Sequence, residues 1–336
     1  MTGMEVEGAN LLVTGGAGFI GSHLVDRLVA ERPNKIVVVD NLFLGRPENL
    51  DGARAAMGDH LRLYIRDASL PSVMEQIITE EQVQVVYDLA TIPLPASYGQ
   101  PRWTFENNIG IVMCLLELLR KERFELYVHC SSSEAYGTAQ FVPMTEDHPL
   151  NPTTTYGASK AAQDLLIQAY DRMYDLPFFI FRPFNNFGER QNDQAYAGVI
   201  PTTIQRILAG EPPVQHGDGA QTRDFIYVRD TVDAVVRLTK AGYRKGIVNV
   251  CRGREVAIRD LLRIIANVMG WTGEIQRVPN PRPTDVSRHF ADNAMVGVAV
   301  AVEHGALDLL GEEALADALA YPLGRRLIGA PLKKRA

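Results

Sequence analysis

The sequence predicts an α/β protein in which a doubly wound parallel sheet carries helices on both faces. Short apolar runs alternate with segments of helical periodicity along the first half of the chain. The first run, Leu11-Leu12-Val13, is followed at once by glycines at 15, 18 and 21 and by a helical pattern. Strand, glycine turn and helix in this order form the phosphate-binding start of a dinucleotide fold. These observations predict a Rossmann-type doubly wound parallel sheet with a smaller mixed α/β substrate lobe.

The glycine turn and the start of its helix form the first predicted cofactor site. Gly15 permits the tight turn, and Gly18 lets the backbone approach a pyrophosphate. Gly21 lets the helix lie close against the strand, and the helix N-terminus favours the negative charge of the phosphates. Phe19 and Ile20 lie between these glycines and belong to the same predicted site.

An acidic residue ends each of the next two predicted strands. The first, Lys35–Asp40, places Asp40 about 20 residues past the glycine turn, where a carboxylate accepts hydrogen bonds from both adenosine ribose hydroxyls. A 2′-phosphate would be repelled there, so the sequence predicts NAD rather than NADP. The alternative is a strand-end aspartate that only forms a turn. Asn41 and, at the end of the third strand, Asp67 and Ala68 complete the predicted adenosine site.

The fourth predicted strand runs over residues 83–89. Leu89, Ala90 and Thr91, at its end, are further predicted cofactor contacts. Strands alternate with helical stretches throughout this half of the chain, which implies right-handed crossovers and a parallel sheet.

Two long helices are predicted, at residues 108–119 and at about 156–174. The first begins at another predicted cofactor contact, Asn108, and is apolar on most sides, so it should be buried on two faces. Two such helices can pack against the copies of a neighbouring subunit as a four-helix bundle, which favours a homodimer. The alternative is burial within one subunit.

A tyrosine and a lysine four residues apart, Tyr156 and Lys160, share one face of the second long helix. A protonated lysine near a tyrosine is expected to favour the phenolate and to lower the pKa of the phenol. A phenolate can remove a hydroxyl proton while hydride leaves the same carbon. Such a pair also arises by chance, but this one follows a strand that runs into the other predicted catalytic residues, Ser132, Ser133 and Glu134.

Composition and charge argue against several other classes. A net charge of −6 over 336 residues provides no basic surface for nucleic acid, and no run reaches the roughly 18 apolar residues of a membrane span. The start of the chain lacks the features of a signal peptide, so a cytoplasmic location is expected. Three scattered cysteines, at 114, 130 and 251, are expected to be buried small hydrophobes, and neither they nor the histidines show metal-ligand spacing.

The order of several motifs carries a family resemblance. They are TGGAGFIG at 14–21, Asp40, Asp67, SSSEAYG at 131–137, YGASK at 156–160, RPFNNFG at 182–188, TRDFIYV at 222–228 and RPTDVSR at 282–288. From about residue 10 to about 293, the chain resembles the extended short-chain dehydrogenase/reductase family, specifically its nucleotide-sugar epimerases, dehydratases and decarboxylases. The resemblance implies a nucleotide-sugar substrate, with a UDP-sugar favoured. It also implies that Tyr156 is the catalytic base, that Lys160 holds the nicotinamide ribose and that Ser132 hydrogen-bonds the reacting hydroxyl.

The same resemblance implies that three residues bind the diphosphate of the substrate. Asn185 lies in the stretch 182–188, which is predicted to be a loop with amide donors. Arg223 and Arg288 are the candidates for a diphosphate clamp, since a guanidinium matches phosphate geometry. A single arginine is otherwise more often a solvated surface charge.

The predicted domains are discontinuous. The NAD-binding domain is predicted to comprise residues 1–183 and 224–250, and the substrate lobe residues 184–223 and 251–336. The tail at 294–336 departs from the family pattern, because it lacks the Trp-rich closing helix that such proteins usually carry.

Glu134 is expected to decide which reaction follows the shared oxidation at sugar C4. Simple 4-epimerases of the family usually have a small neutral residue at this position, and an added carboxylate implies proton chemistry at C5. The alternative is a strand-end glutamate in solvent. Dehydratases of the thymidine-diphosphoglucose type usually have an aspartate where this chain has Ser133, and a serine cannot efficiently protonate a departing hydroxide. Loss of carbon dioxide needs no protonated leaving group.

The favoured interpretation is therefore a UDP-glucuronate decarboxylase that forms a UDP-4-keto-pentose or UDP-xylose. Ser132-Ser133-Glu134 resembles the Thr-Ser-Glu of those enzymes, and the stretch 95–98 resembles their Pro-x-x-Tyr loop, which makes Tyr98 a predicted substrate contact. GDP-mannose-type and GlcNAc-type 4,6-dehydratases share Thr-Ser-Glu, and the stretch 137–150 looks more like theirs. An NDP-hexose 4,6-dehydratase and an NDP-sugar 4-epimerase remain the alternatives. A dinucleotide-sensing scaffold is disfavoured, because such proteins typically lose the tyrosine or the lysine.

Overall fold

A computed structural model describes residues 6–193, 196–281 and 286–296. Its largest element is a seven-stranded sheet in which all strands are parallel. From one edge to the other, the strands are β10 (Ile247–Val250), β6 (Phe178–Pro183), β5 (Leu126–Cys130), β4 (Val85–Asp88), β1 (Asn10–Thr14), β2 (Lys35–Asp40) and β3 (Leu61–Ile65).

Helices cover both faces of this sheet, and its central strands β1, β4, β5 and β6 are buried along their whole length. In β1, Leu11 and Val13 face one apolar cluster and Leu12 faces the other, and all three are fully buried. The helices on the first face are α1 (Phe19–Val29), α2 (Asp51–Met57) and α8 (Val228–Lys240). Those on the second are α3 (Pro71–Glu80), α5 (Pro101–Arg120) and α6 (Thr155–Tyr174). The predicted fold class is confirmed.

The order of the strands places a ligand site above β1. Sequence order runs outward from β1 through β2 to β3 on one side and through β4 to β5 on the other. Connections leave in opposite directions at this point, so their loops separate and open a crevice at the carboxyl ends of the strands.

Smaller sheets form beside the carboxyl edge of the main sheet. One joins β11 (Glu255–Ala257), β9 (Thr222–Tyr227) and β7 (Asn185–Phe187), and the other joins β12 (Gln276–Val278) and β8 (Val214–His216). Helices α7 (Val199–Leu208) and α9 (Ile258–Val268) bury their apolar sides against the first of these sheets. The shared cluster consists of Phe187, Ile200, Ile204, Phe225, Leu261 and Ile265.

Two stretches that were expected to be loops have regular structure. The stretch 182–188 contains the end of β6 and the whole of β7, because Asn185–Phe187 pairs with Phe225–Tyr227 far along the chain. The stretch 95–98 lies largely in a short helix, α4 (Leu94–Ser97). Both expectations were wrong because long-range pairing and a single helical turn leave little periodicity in a sequence.

The two long helices begin where local chemistry starts them. Helix α5 begins at Pro101, seven residues before the predicted start, because proline is favoured in the first turn. Helix α6 begins one residue before the predicted start, and the Thr154 hydroxyl caps it by accepting a hydrogen bond from the Gly157 N–H at 3.0 Å.

The cysteines are buried and unpaired, as expected. Among the described residues, none of the helices combines the length and apolarity that a bilayer crossing requires. The predicted domain boundaries stay a prediction. The tail at 297–336 and part of the RPTDVSR motif, residues 282–285, lie outside the described residues.

The packing of α1 generates a stability prediction. A Cβ atom added to Gly21 would lie 2.1 Å from the carbonyl oxygen of Gly15. We expect Gly21→Ala to lower the free energy of unfolding by about 1–3 kcal/mol, because backbone must move to make room. Urea denaturation measures this quantity.

Gly52→Ala is the matched control. Gly52 lies inside α2, and its added Cβ would meet only Asp26 Oδ1, at 3.9 Å. This substitution should raise the free energy of unfolding by about 0.4–1 kcal/mol, because alanine lowers the conformational entropy of the unfolded chain. Equal stabilities for the two variants would contradict the close packing of α1 on the glycine turn.

Candidate active site

A cavity of about 430 Å³ lies at the carboxyl ends of the central strands, where the strand order reverses. Its wall brings together most of the predicted cofactor residues and three of the predicted catalytic residues. Those on the wall are Gly15, Gly18, Phe19, Ile20, Gly21, Asp40, Asn41, Asp67, Ala68, Leu89, Ala90, Thr91, Ser132, Tyr156 and Lys160.

The glycine turn packs so tightly against the end of β4 that side chains have no room. Gly15 has a φ of +64°, and a Cβ there would lie 2.9 Å from backbone atoms of Ala90. Thr14 fixes the same junction, since its hydroxyl donates to Asp88 at 2.6 Å and accepts from the Leu89 and Ala90 N–H groups at 3.1 Å. Because no side chain fits at this junction, the bottom of the cavity is made of backbone. The N-terminus of α1 is directed at the cavity.

Asp40 lies on the cavity wall as a carboxylate fixed by backbone. Its two oxygens accept hydrogen bonds from the Ala17 N–H at 3.0 Å and the Leu42 N–H at 2.8 Å. A carboxylate has about four acceptor positions, so capacity remains for ribose hydroxyls. Burial raises the pKa of Asp40, while the two N–H groups oppose this shift.

Tyr156 and Lys160 both reach the cavity from the first turns of α6. The Lys160 Nζ donates to the carbonyl oxygen of Cys130 at 2.9 Å and lies 6.0 Å from the centre of the Tyr156 ring. The expectation of a lowered pKa for Tyr156 is wrong for this structure. Desolvation raises the pKa of Tyr156, whereas a hydrogen bond with Ser132 lowers it. Burial likewise lowers the pKa of Lys160.

Ser132, Ser133 and Glu134 form the turn that follows β5, and of the three only Ser132 lies on the cavity wall. The Ser132 hydroxyl accepts a hydrogen bond from the Glu134 N–H at 3.2 Å and caps a short 3₁₀ helix, Ser133–Ala135. Ser133 is buried, and Glu134 is half-buried. The Glu134 carboxylate lies near enough to Tyr156 for its charge to raise the pKa of the phenol.

Buried charges hold this turn in place. Tyr136 follows Glu134 by two residues, and its hydroxyl donates to Asn249 and accepts from Arg182, both at 2.7 Å. Arg182 also donates to Asp164 of α6 at 2.8 Å, and both side chains are almost fully buried. The Glu134 turn and the catalytic helix are thereby tied to β6 through one guanidinium group.

The structure does not bring every predicted contact to the cavity. Asn108 is fully buried in α5, where its amide bonds to both backbone groups of Ile92 and to the Ser159 hydroxyl. Asn108 therefore stabilises the loop after β4 from the interior of the protein. Tyr98 is 45% exposed and lies off the cavity wall.

The predicted diphosphate residues also lie off this wall. Arg223 donates to the carbonyl oxygens of Thr222 and Val286, and Arg288 forms an ion pair with Glu255 at 2.6 Å. The Nδ2 of Asn185 is buried and has no hydrogen-bond partner among the described residues. The diphosphate roles of all three residues stay predictions.

Several wall residues were missed by the sequence analysis. Phe43 and Gly45 come from the loop after β2, and Gln191, Asn192 and Tyr196 come from the segment between β7 and α7. No local pattern marks these residues, because they meet at the cavity only after folding.

A parallel sheet with a glycine turn at its switch point, a ribose-binding aspartate position and a tyrosine–lysine pair defines a dinucleotide-dependent enzyme of the short-chain type. The model of the NAD dependent epimerase/dehydratase family matches residues 11–251. The chain belongs to this family.

The relatives agree with this assignment. The UDP-glucose 4-epimerase of Mycolicibacterium smegmatis is 36% identical over 285 residues, which cover 84% of this chain and 89% of the relative. A UDP-N-acetylglucosamine 4-epimerase from Methanobrevibacter ruminantium, solved with UDP-N-acetylmuramic acid, has a TM-score of 0.85 at 30% identity and covers 96% and 99% of the two chains. The dTDP-glucose 4,6-dehydratase of Streptomyces venezuelae, solved with NAD and TYD, has a TM-score of 0.85 at 27% identity and covers 94% and 97%.

NAD is the cofactor of this enzyme. The site fits it, because the positions at Gly15 and Gly21 exclude side chains and leave backbone for a pyrophosphate. When bound, NAD supplies a hydride acceptor. None of the three relatives named above is a decarboxylase. The family assignment therefore does not identify the reaction, and the residues of the site have to be used to choose it.

The geometry of Asp40 predicts its effect on cofactor choice. Asp40→Asn retains one acceptor oxygen and removes the charge. We expect NAD to bind about tenfold more weakly, because roughly one charge-assisted hydrogen bond is lost. Discrimination against NADP should fall, because a 2′-phosphate is no longer repelled. Calorimetric titration with both dinucleotides measures the two constants.

Asp51→Asn provides the control, since Asp51 is an exposed acid on α2 that lies off the cavity wall. An unchanged ratio of NAD to NADP affinity in Asp40→Asn would contradict the ribose contact.

Proposed function

We propose that the protein oxidises C4 of a nucleotide sugar and then uses Glu134 for proton chemistry at C5, while C6 leaves as carbon dioxide or, in a dehydratase, the C6 hydroxyl leaves as water. The observation that carries the proposal is the packing of the Glu134 turn on the first turn of α6, where a Cβ atom added to Gly157 would lie 2.6 Å from the Glu134 carbonyl oxygen. At this position the charge of Glu134 is close enough to raise the pKa of Tyr156. A carboxylate there is not needed for hydride transfer alone. It is suited to moving a proton at the carbon next to the new ketone.

Tyr156 begins the reaction as the base. It takes the proton of the C4 hydroxyl while hydride leaves C4 for NAD, which makes a C4 ketone and NADH. The hydrogen bond from Ser132 stabilises the phenolate, in opposition to the desolvation of the phenol. Lys160 donates a hydrogen bond to the Cys130 carbonyl oxygen, and its role in the proposal is to hold the nicotinamide ribose.

The C4 ketone makes loss of carbon dioxide possible if C6 is a carboxylate. The electrons of the C5–C6 bond move into the ketone as carbon dioxide leaves, and Glu134 then delivers a proton to C5. Ser133 favours this outcome over loss of water, since a serine hydroxyl is a poor acid for a departing hydroxide. Decarboxylation of UDP-glucuronate is therefore the form of the reaction that we favour. In a 4,6-dehydratase, Glu134 would instead serve both proton transfers.

A second candidate function, 4-epimerisation, is supported by the names of the two 4-epimerases similar to this chain. In that reaction, hydride returns to the other face of C4, and Glu134 has no proton to move. The UDP-sugar preference rests on the same relatives. The buried Asn185 Nδ2, still without a partner among the described residues, is a suitable donor for a diphosphate oxygen.

Product mass separates these reactions. We expect UDP-glucuronate, incubated with the protein and NAD, to lose carbon dioxide. Loss of water from a UDP-, GDP- or TDP-hexose would instead establish a dehydratase. A product of unchanged mass but inverted C4 would establish an epimerase and overturn the role of Glu134. Ligand-induced stabilisation without turnover on the whole panel would indicate a dinucleotide-sensing scaffold.

Glu134→Gln tests the assigned role directly. This variant should still form NADH with the active sugar but should turn over at least about 100-fold more slowly, the usual loss for a missing general acid–base group. Tyr156→Phe is the control that should not form NADH. Absorbance of NADH and product mass report the two steps. Full turnover in Glu134→Gln would contradict the proposal.

We also propose that the chain forms a homodimer through α5 and α6. The two helices pack on one another within the chain, yet apolar side chains on α6 face outward. Leu165 is 54% exposed and Met173 is 66% exposed. Large apolar side chains exposed on a long helix are typical of a subunit interface.

Leu165→Glu tests the dimer, because a charge at such an interface would be desolvated without a partner. We expect sedimentation velocity to show a shift from dimer to monomer. Leu208→Glu, which changes an exposed leucine on α7, should leave the mass unchanged. A monomeric parent protein, or equal behaviour of the two variants, would rule the interface out.

A further inference from the structure

A short segment, Glu189–Asp193, crosses from the end of β7 to the cofactor side of the cavity. We call it the strap. Two of its residues, Gln191 and Asn192, form part of the cavity wall. The opposite part of the wall is the loop after β2, which contributes Phe43 and Gly45. The strap therefore forms one side of the cofactor cavity, and the loop after β2 forms the opposite side.

Two contacts attach the beginning of the strap to α1, the helix of the glycine turn. The carbonyl oxygen of Glu189 accepts a hydrogen bond from His23 Nε2 at 2.9 Å. The Arg190 guanidinium forms an ion pair with Asp26 at 2.7 Å. These contacts fix the strap along the outer edge of the cavity.

A third contact joins the far end of the strap to the loop after β2. Arg46 Nη2 lies 3.0 Å from Asp193 Oδ1, although 147 positions of chain separate the two residues. Each residue of this ion pair is also held by a hydrogen bond of its backbone. The Arg46 N–H donates to the carbonyl oxygen of Ala17 in the glycine turn, and Gln205 of α7 donates to the carbonyl oxygen of Asp193.

Aromatic rings also contact one another across the cavity. The Phe43 ring is 5.2 Å from the Trp103 ring, edge to face, and 6.1 Å from the Tyr196 ring. Phe43 and Tyr196 both line the cavity. Apolar contact and ion pair thus join the same two sides of the cavity.

We propose that the Arg46–Asp193 ion pair is a gate for dinucleotide exchange, which keeps NADH bound until its hydride is returned. The pair bridges the two sides between which the adenosine half of a dinucleotide would have to leave. Its side chains are 43% and 24% exposed, so the pair can open, and salt weakens it. The inference rests on the proposed function in the form that yields UDP-xylose, because there the C4 ketone is reduced again by the NADH of the same turnover.

The test measures NADH dissociation without any sugar. Excess NAD displaces NADH from the full chain in a stopped-flow instrument, and the fall in NADH fluorescence gives the rate. The proteins compared are the parent, Arg46→Ala, Asp193→Ala, the double variant and the reversed pair Arg46→Asp with Asp193→Arg. Arg263→Ala is the control, because Arg263 pairs with Asp260 on α9 at the same distance of 3.0 Å, on an exposed surface.

We expect each alanine variant to release NADH up to about fivefold faster, the effect of losing one partly exposed ion pair. The double variant should be no faster than either single variant, and the reversed pair should be slower than both. Added salt should speed release from the parent but not from the alanine variants.

Three results would overturn the proposal. Multiplied effects in the double variant would mean that the two residues act independently. Acceleration in Arg46→Ala alone would mean that Arg46 binds the cofactor itself. Acceleration in Arg263→Ala would mean that any lost surface pair has this effect. Because no sugar is present, failure of the C4 chemistry would leave these results intact, and the converse also holds.

Discussion

The rest of the structure depends on the contact between the glycine turn and its neighbours. Gly15 touches backbone of Ala90 at the end of β4, and Gly21 presses the first turn of α1 onto Gly15. Side chains at either position would separate these elements. Their close approach makes the cavity floor out of backbone and points the N-terminus of α1 at the place of the pyrophosphate. The same close packing of backbone therefore forms the cofactor site and holds α1 against the central strands.

A second constraint positions the chemistry at the other end of the cavity. Arg182, buried in β6, contacts Asp164 of the catalytic helix and the hydroxyl of Tyr136. The buried guanidinium is paired with Asp164 and donates further hydrogen bonds to Tyr136 and to the Glu146 carbonyl oxygen, so it fixes the relative positions of the elements it joins. Here it joins the turn that carries Glu134 to the helix that carries Tyr156. The relative position of Glu134 and Tyr156 thus depends on a residue that lies off the cavity wall.

Members of this family that catalyse different reactions have the same fold. The relatives include 4-epimerases and a 4,6-dehydratase on the same backbone, with TM-scores of 0.85 for representatives of both. Fold similarity therefore cannot choose between these reactions, because the backbone positions the cofactor and leaves the later proton transfers to individual side chains. In the function proposed above, Glu134 is the side chain that would carry the later proton transfer, and its charge raises the pKa of Tyr156.

The sequence by itself determined the features that arise within one element or across one turn. The strand–glycine–helix order, the acid at the end of β2 and the spacing of Tyr156 and Lys160 are local patterns, and the structure places these residues on one cavity wall. Tertiary structure alone decided the rest. It brought distant parts of the chain together in the pairing of β7 with β9, in the hydrogen bonds of the buried Asn108 amide and in the ion pair between Arg46 and Asp193. The raised pKa of Tyr156 also comes from burial, which local spacing does not reveal, because desolvation depends on every element that surrounds the phenol.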